Sequence, residues 1–162
     1  MARKRRRRQA TPPPTSRNRT LAVNRRARYD YVVLDTFDAG LELRGTEIKS
    51  LRTGSVSLRE GYVAVQDGEA FLRDVHIARY KPAADANHDP DRPRKLLLHR
   101  AEIDELARHT IQAGQTAVPL RLYLDKGWAK VEVGLVRGRR DYDKREKIRA
   151  RDDAREIARR MR

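Results

Sequence analysis

The densest group of side chains able to do chemistry lies between residues 85 and 95. Carboxylates and an imidazole come close together in this stretch, at Asp85, His88, Asp89 and Asp91. Such a group could hold a divalent cation and support metal-dependent cleavage of a nucleic acid. Two-metal sites, however, draw their carboxylates from several elements of a fold, and one loop rarely supplies a complete set. A metal-dependent nuclease is therefore the less favoured interpretation of this stretch.

The favoured interpretation is a rigid loop that presents cations to a partner. Pro90 and Pro93 restrict the backbone, and Arg92, Arg94 and Lys95 supply the positive charge. The chain contains no cysteine, its four histidines show no metal-ligand spacing, and the glycine-rich and nucleophile motifs of common enzymes are absent. We therefore expect no catalytic residue, no metal site, no cofactor and no enzymatic activity.

Short strands are the main pattern between residues 29 and 137. Aromatic and β-branched residues favour a strand over 29–37, and residues 38–40 read as a turn. Alternation of apolar and polar residues predicts further strands over 41–44, 61–66, 69–77, 117–124 and 128–136, with a tight hairpin at Asp67-Gly68. Because strands and helices do not alternate regularly, the pattern favours a mainly β protein with flanking helices, built as a small closed antiparallel barrel.

Three helical segments accompany these strands. The first covers 45–54, where Ile48 and Leu51 share a face. The second covers 100–112, where four apolar residues share a face and His99 occupies the N-cap position. Apolar residues at helical spacing also recur in the basic C-terminal tail. Because an isolated helix of that length is marginal in water, we expect a tail that is disordered when free and helical when bound.

The positive charge of the chain is concentrated at its two ends. The formal net charge is +15; residues 1–28 carry 11 Lys and Arg and no acid, and residues 138–162 carry 11 against 6 acids. Basic arms follow a phosphate backbone well, so this distribution favours a nucleic-acid partner. Aromatic residues are few, which favours recognition of folded RNA by backbone and shape over stacking on single-stranded bases.

The sequence predicts a cytoplasmic protein with no membrane partner. No apolar run approaches the roughly 18 residues needed to span a bilayer. The arginine-rich start is followed by the polar, proline-rich residues 11–16 instead of the apolar core of a signal peptide. Composition divides the chain into a disordered basic N-terminal arm over 1–23, a barrel over 24–137 and a basic tail over 138–162.

Four blocks of sequence, in this order, carry a resemblance to a known family. They are NRRARYDY at 24–31, GTEIKSLR at 45–52, NHDPDRPRKLLLH at 87–99 and GRRDYDKRE at 138–146. Together they resemble the SsrA-binding protein (small protein B) family over about residues 24–162. The N-terminal arm is not part of the pattern, and its role stays open.

The resemblance implies an OB-like barrel with flanking helices and a function in bacterial ribosome rescue. A protein of this family binds the tRNA-like domain of transfer-messenger RNA, and elongation factor Tu on the same RNA carries the complex to a stalled ribosome. The protein body enters the empty decoding site of the small subunit, and the tail probes the vacant mRNA channel. A generic ribosome- or RNA-associated OB-fold protein is the alternative.

On the body, the resemblance and local charge together give a set of candidate RNA-binding residues. Family positions that contact or support RNA match Asn24, Asp38, Leu97 and His99. For three of these a structural role is the competing interpretation: a turn at Asp38, core packing at Leu97 and helix capping at His99. The full candidate set is Asn24, Arg25, Asp38, Lys49, Arg52, Arg92, Arg94, Lys95, Leu97 and His99.

In the tail, the resemblance implies contacts with the ribosome near its decoding site. Tyr142 matches a position that stacks on a ribosomal RNA base, and Met161 matches an apolar position close to the end of the tail. General phosphate contacts are the competing interpretation of the basic residues. The full tail set is Gly138, Arg139, Arg140, Tyr142, Asp143, Lys144, Arg145 and Met161.

Overall fold

The computed structural model of the protein describes residues 18–139 and 141–161. These residues form nine strands, four α-helices and a short 3-10 helix over Lys81–Ala83. The strands are β1 (Asn18–Val23), β2 (Tyr31–Leu41), β3 (Val56–Ser57), β4 (Tyr62–Gln66), β5 (Glu69–Arg73), β6 (His76–Ile77), β7 (Arg94–Leu97), β8 (Gln115–Asp125) and β9 (Trp128–Gly138), and the helices are α1 (Arg25–Asp30), α2 (Gly45–Arg52), α3 (Arg100–Ile111) and α4 (Asp141–Arg160).

Seven of the strands form one antiparallel sheet. Its order is β1-β8-β9-β2-β7-β5-β4, and β3 pairs separately with β6. The three longest strands, β2, β8 and β9, lie side by side near its centre. Their inward residues join those of β4, β5 and β7 and the buried face of α3 in one main core. The prediction of a mainly β protein with flanking helices is confirmed.

The sheet is open, so the expected closed barrel is wrong. Among the described strands, the edge strands β1 and β4 do not pair with each other. β1 pairs only with the 121–125 half of β8. The other half of β8 packs against β4 without a ladder, and the ring of Pro119 lies beside Gly61. Because proline has no amide hydrogen to donate, it does not support a further strand pairing at this point.

The ordered part of the chain begins before residue 24. Residues 18–23 were expected in the disordered arm, but they form β1, whose register runs from Asn18 opposite Asp125 to Val23 opposite Arg121. Strand formation here depends on a partner about one hundred residues later, which local alternation does not reveal. Residues 1–17 lie outside the described residues.

Two further strand predictions were wrong in detail. The turn expected at residues 38–40 does not form, because these residues continue β2 and pair with Lys130, Val131 and Glu132 of β9. The strand expected over 69–77 is interrupted at Asp74, whose φ of 55° breaks the extended backbone. By contrast, the Asp67-Gly68 hairpin is confirmed, with positive φ at both residues.

Two helices of the body, α2 and α3, follow their apolar periodicity, whereas α1 has one buried residue, Ala27, and was not predicted. α2 and α3 confirm the two predicted helices to within two residues at their ends. α3 buries Ile103 and Leu106, whereas Ile111 at its end is 85% exposed and does not join the core. In α4, every side chain that the structure describes is exposed. No helix among the described residues is long and apolar enough to cross a membrane.

Candidate nucleic-acid interface

A cleft of about 580 Å³ brings four of the candidate RNA-binding residues together. They come from three segments, since Asp38 lies in β2, Lys95 and Leu97 lie in β7, and His99 precedes α3. β2 and β7 pair at Gly40 and Leu97, which places residue 38 close to residues 97–99. We call this the Asp38 cleft. Its remaining lining residues are Gly68, Glu69, Leu96, Leu98, Arg100, Glu102 and Ile103.

Asp38 is oriented by a tyrosine from the neighbouring part of the sheet. The hydroxyl of Tyr123 donates a hydrogen bond of 2.8 Å to Asp38 Oδ1. Burial of Tyr123, together with the hydrogen bond to Asp38 and its negative charge, raises the pKa of the phenol. Tyr123 therefore remains a donor at neutral pH and fixes one carboxylate oxygen. The other oxygen is on an exposed residue and is available to accept from a ligand.

Lys95 supplies a cation to the same cleft. Its ammonium group pairs with Glu69 Oε1, and its side chain is 39% exposed. The hydrogen bond from Lys95 to Glu69 and the charge of that carboxylate raise the pKa of Lys95. The lysine is therefore charged at neutral pH and can pair with a phosphate if it leaves Glu69.

Leu97 and His99 present their side chains at the surface. Leu97 is 56% exposed, so its interpretation as a core residue is wrong. The absence of a side chain at Gly40 leaves room for it, since a Cβ at residue 40 would lie 3.2 Å from Leu97 Cβ. The backbone N–H of His99 donates to Glu102 Oε2 at the start of α3, and residue 99 is exposed. Both side chains are thus accessible to a ligand in the Asp38 cleft.

Arg94 and Arg92 do not present their charge as expected. Arg94 is fully buried, and its Nε donates to Glu47 Oε1 over 2.8 Å. Its other nitrogens donate to the carbonyl oxygens of Val75 and Pro90. Arg92 donates to both oxygens of Glu47, and its side chain is 21% exposed. The guanidinium of Arg94 therefore has no surface to offer to RNA, and its assignment to the interface is wrong.

The buried carboxylate of Glu47 is held in its charged form. Burial by itself would raise the pKa of Glu47, but hydrogen bonds from Arg92, the backbone N–H of Arg44 and Arg94 outweigh it and lower that pKa. Burial also lowers the pKa of Arg94, against the raising effect of Glu47. Opposite charges compensate each other in this cluster, which joins α2, β7 and the loop before β7.

Asn24 is a structural residue of the body. It is 5% exposed, and its Oδ1 caps α1 by accepting from the N–H of Ala27. Its Nδ2 donates to the carbonyl oxygens of Leu58 and Pro119, across the gap where the sheet fails to close. All the polar atoms of this side chain are used within the protein, so its assignment to the RNA surface is wrong.

Three other candidate residues lie outside the Asp38 cleft. Arg25 is exposed and lines a separate cleft of about 440 Å³ beside β3. Lys49 lies over the ring of Tyr80, 5.5 Å from its centroid. The carbonyl oxygen of Arg52 accepts from Arg19 on β1. The candidate residues of the body therefore divide between the Asp38 cleft, these outlying cations and the buried set.

The loop over residues 85–95 uses its polar groups internally. His88 is 2% exposed, with Nε2 donating to the carbonyl oxygen of Ile77 and Nδ1 2.9 Å from Thr46 Oγ1. Asn87 exchanges two hydrogen bonds with the backbone of Tyr80. Asp89 accepts from the N–H of Asp91. Among the described residues, no three His, Asp or Glu side chains converge as metal ligands would.

The start of the tail is attached to the body. Gly138 ends β9 opposite Tyr31, and the N–H of Arg139 donates to the carbonyl oxygen of Asp30. A second bond of 3.2 Å runs from Arg139 Nη2 to the carbonyl oxygen of Tyr31. Arg145 and Met161 are exposed on α4. Arg140 lies outside the described residues, as do the side chains of Tyr142, Asp143 and Lys144.

Sequence reasoning missed two residues at the interface. Tyr123 was not among the candidate residues, although it is 5% exposed and orients Asp38. Trp128 was not among them either, although it is 75% exposed and lines an apolar cleft of about 420 Å³ together with Leu97. A signal for Trp128 was its place directly after the Lys126-Gly127 turn, where a strand begins at the surface.

Comparisons with known proteins show the family of the chain. A family model described as SmpB protein matches residues 21–162. The SsrA-binding protein of Frankia casuarinae is 52% identical over 149 residues, which cover 92% of this chain and 94% of that protein. The SsrA-binding protein of Thermobifida fusca is 50% identical over 162 residues, which cover 100% of this chain and 98% of that protein.

A solved structure also resembles the fold described above. It is a chain from "tmRNA-SmpB: a journey to the center of the bacterial ribosome", with a TM-score of 0.65 and 46% sequence identity. The match covers 79% of this chain and 94% of that chain. Since the family model spans most of the sequence and the relatives are about half identical over nearly their full length, the chain belongs to the SmpB family.

Proposed function

We propose that this chain is an RNA-binding adaptor of ribosome rescue. It binds the tRNA-like domain of transfer-messenger RNA and brings that RNA to the empty decoding site of a stalled ribosome. Membership of the SmpB family supports this function, as do relatives named SsrA-binding protein at about half identity. The protein acts by binding and positioning, not as an enzyme, and it works in the bacterial cytoplasm.

The observation that carries the proposal is the Asp38 cleft. Residues from three separated segments converge on one accessible surface, and they offer an acceptor at Asp38, a cation at Lys95 and an exposed apolar side chain at Leu97. This mixture suits a folded RNA, in which phosphates, 2′-hydroxyls and base edges lie close together. A surface that only bound phosphates would not need Asp38.

The body and the tail divide the work between them. The body binds transfer-messenger RNA, and elongation factor Tu reaches the protein only through that RNA. The tail enters the vacant mRNA channel of the small subunit. There Tyr142 stacks on ribosomal RNA, and Arg140, Lys144 and Arg145 contact its phosphates. Attachment of Arg139 to the body sets the point from which the tail extends.

The helical state of the tail depends on its partner. The described side chains of α4 are all exposed, so the helix gains little from burial within this chain. Pairs such as Glu156 with Arg160 stabilise a helix by only about 0.3 kcal/mol each. We therefore expect a small helical population in the free tail and a full helix on the ribosome. This population can be measured by circular dichroism. The spectrum of a chain of residues 1–140 is subtracted from that of the full chain, and the comparison is made with and without ribosomes.

RNA affinity tests the proposed function directly. The full chain should bind the tRNA-like domain of transfer-messenger RNA at least tenfold more tightly than an unrelated tRNA at the same salt concentration. Asp38→Ala and Leu97→Ala should remove most of that preference. Ile111→Ala, which alters an even more exposed apolar residue at the far end of α3, should not. Equal affinity for both RNAs would instead favour a generic RNA-associated protein.

A further inference from the structure

An exposed tryptophan stands over an apolar cleft beside the Asp38 cleft. Trp128 is 75% exposed and Leu97 is 56% exposed, and both line a cavity of about 420 Å³. We call this cavity the Trp128 notch. Its other lining residues are Gly40, Leu41, Glu42, Leu43, Ile48, Gly127, Ala129 and Lys130.

The backbone that carries Trp128 is a tight hairpin. Lys126 and Gly127 form the turn with φ values of 51° and 84°, and Trp128 pairs with Asp125 across it. The ammonium group of Lys130 lies 3.1 Å from Asp125 Oδ2, which ties the two strands together behind the turn. The hairpin that carries this aromatic ring is short, and an ion pair links its two strands. A rigid backbone here lowers the entropy that is lost when a ligand stacks on the ring.

The notch continues the Asp38 cleft. Leu97 lines both cavities, so the two meet at this residue. A ligand that binds Asp38, Lys95 and Leu97 in the Asp38 cleft therefore reaches the edge of the notch. Most of the notch lining is apolar, and its one cation, Lys130, is already paired with Asp125, so the notch suits a flat apolar ring better than a phosphate.

The surrounding charge favours RNA over an apolar peptide. β1 runs antiparallel to β8, and its first residue, Asn18, lies opposite Asp125 at the Trp128 hairpin. Residues 1–17 carry seven Lys and Arg and no acid. A segment of this charge draws a polyanion to the rim of the notch. Of the parts of a nucleic acid, the nucleobase has the flat apolar face on which an indole stacks.

We propose that the Trp128 notch takes one unpaired nucleobase of the RNA that binds the Asp38 cleft, stacked on the indole. This inference rests on the proposed function and deepens it, because it assigns a base-binding site next to the site for the folded RNA. Aromatic stacking accepts any base, so the notch contributes affinity and register and little sequence preference.

Intrinsic fluorescence provides a direct test, because Trp128 is the only tryptophan of the chain. The full chain is titrated with the tRNA-like domain of transfer-messenger RNA, and binding is followed in parallel by gel shift. Stacking of a base should quench the indole emission in step with the bound fraction. The stacked base should also cover the exposed face of the indole, so acrylamide should quench the fluorescence of the complex less than that of the free protein.

Substitutions then show whether the stacking contributes to affinity. Trp128→Ala should weaken binding by roughly ten- to a hundredfold, whereas Trp128→Phe should retain most of the affinity because it keeps an aromatic face. The dependence of log affinity on log salt should be unchanged in Trp128→Ala, since the indole carries no charge. Removal of residues 1–17 should lower that slope. Ile111→Ala is the matched control for loss of an exposed apolar side chain.

The outcomes separate this inference from the proposed function. If the RNA binds but the fluorescence does not change and Trp128→Ala binds like the wild type, the base-binding notch is wrong and the proposed function stands. If the fluorescence changes with protein concentration in the absence of RNA, the notch is an interface between copies of the chain and the assignment is also wrong. If the wild type does not bind the RNA at all, both conclusions fail.

Discussion

The guanidinium of Arg94 and the carboxylate of Glu47 form an ion pair in which neither side chain has any exposed surface. Nε of Arg94 lies 2.8 Å from Oε1 of Glu47. Glu47 belongs to α2 and Arg94 begins β7, so the pair connects a helix to the sheet. The same arginine also donates to the carbonyl oxygen of Pro90. The strand that carries Lys95 and Leu97 to the Asp38 cleft is therefore positioned by a charge cluster underneath it.

Removal of the carboxylate charge should destabilise the fold strongly. In Glu47→Gln, Arg94 keeps its charge in a fully buried position without a compensating anion. We expect a loss of about 3–5 kcal/mol in the free energy of unfolding, measured by urea denaturation. Glu69→Gln is the control, because it removes the acid from a pair that is partly exposed, and its effect should be much smaller. Similar losses in both variants would show that burial of the pair is not what matters.

The same cluster predicts a sensitivity to acid. The pKa of Glu47 in the folded protein lies below its unfolded value of about 4.3, so the folded state binds the proton less tightly than the unfolded state. The stabilisation is complete above pH 4.3 and is lost as the pH falls through the folded pKa. Between pH 7 and pH 5 the stability gap between wild type and Glu47→Gln should stay constant, and below pH 4 it should narrow. A gap independent of pH down to pH 2 would contradict this.

The hydrogen bond between Tyr123 and Asp38 should make the stability of the fold sensitive to alkaline pH. Because the phenol has a raised pKa when folded, its contribution is fully present below the unfolded value of about 10 and is lost as the pH rises further. Tyr123→Phe should lower the free energy of unfolding by about 1 kcal/mol at pH 7. Above pH 10, the wild type should lose stability faster than the variant, as followed by denaturation at fixed temperature. Equal slopes for the two proteins would exclude a raised pKa at Tyr123.

The loop before β7 contains a residue whose replacement should stabilise the protein. Ala84 has φ 44° and ψ −117°, a conformation that L-residues rarely adopt. Ala84→Gly removes that strain and should raise the free energy of unfolding by about 1 kcal/mol, after the entropy of the added glycine is subtracted. Ala86 is an exposed neighbour without positive φ. Ala86→Gly should therefore lower the free energy of unfolding slightly. If Ala86→Gly raised it instead, backbone strain at Ala84 would not explain the effect of Ala84→Gly.

The attachment of Arg139 defines where the tail can be removed without harm. A chain that ends at residue 140 keeps the bonds of Arg139 to Asp30 and Tyr31. It should bind the tRNA-like domain with unchanged preference over an unrelated tRNA, and it should lose activity in a ribosome-rescue assay. A chain that ends at residue 137 also loses the pairing of Gly138 with Tyr31, and it should melt at a lower temperature. If truncation at residue 140 abolished RNA binding, the division between body and tail would be wrong.

Local pattern predicted the parts of the fold that local forces determine. α3 follows an apolar stripe, and the Asp67-Gly68 hairpin follows from two residues that accept positive φ. The cleft residues Asp38, Lys95, Leu97 and His99 were found through the family resemblance and one local charge. That they face a common cleft follows from the pairing of β2 with β7, which no local pattern contains.

The failures have one physical cause, which is the dominance of distant partners over local preference. Arg94 was expected at the surface because arginine usually lies there, but Glu47 compensates its charge inside the protein. The turn chemistry at Asp38 was overridden by pairing with β9. Asn24 was assigned to RNA binding through the resemblance, whereas its amide nitrogen donates hydrogen bonds to the carbonyl oxygens of Leu58 and Pro119. Burial of these polar residues depends on contacts tens of residues away.

The register of β1 has a consequence for how the protein is made. β1 pairs with the end of β8, about one hundred residues later in the chain, and β8 and β9 lie between β1 and the central strand β2. During synthesis, the nascent chain cannot assemble this sheet until nearly all of it has left the exit tunnel. A copy whose own translation stops before β8 would lack the partner of β1 and the main partner of β2. We expect such a fragment neither to fold nor to bind RNA, so it could not join the rescue of other ribosomes.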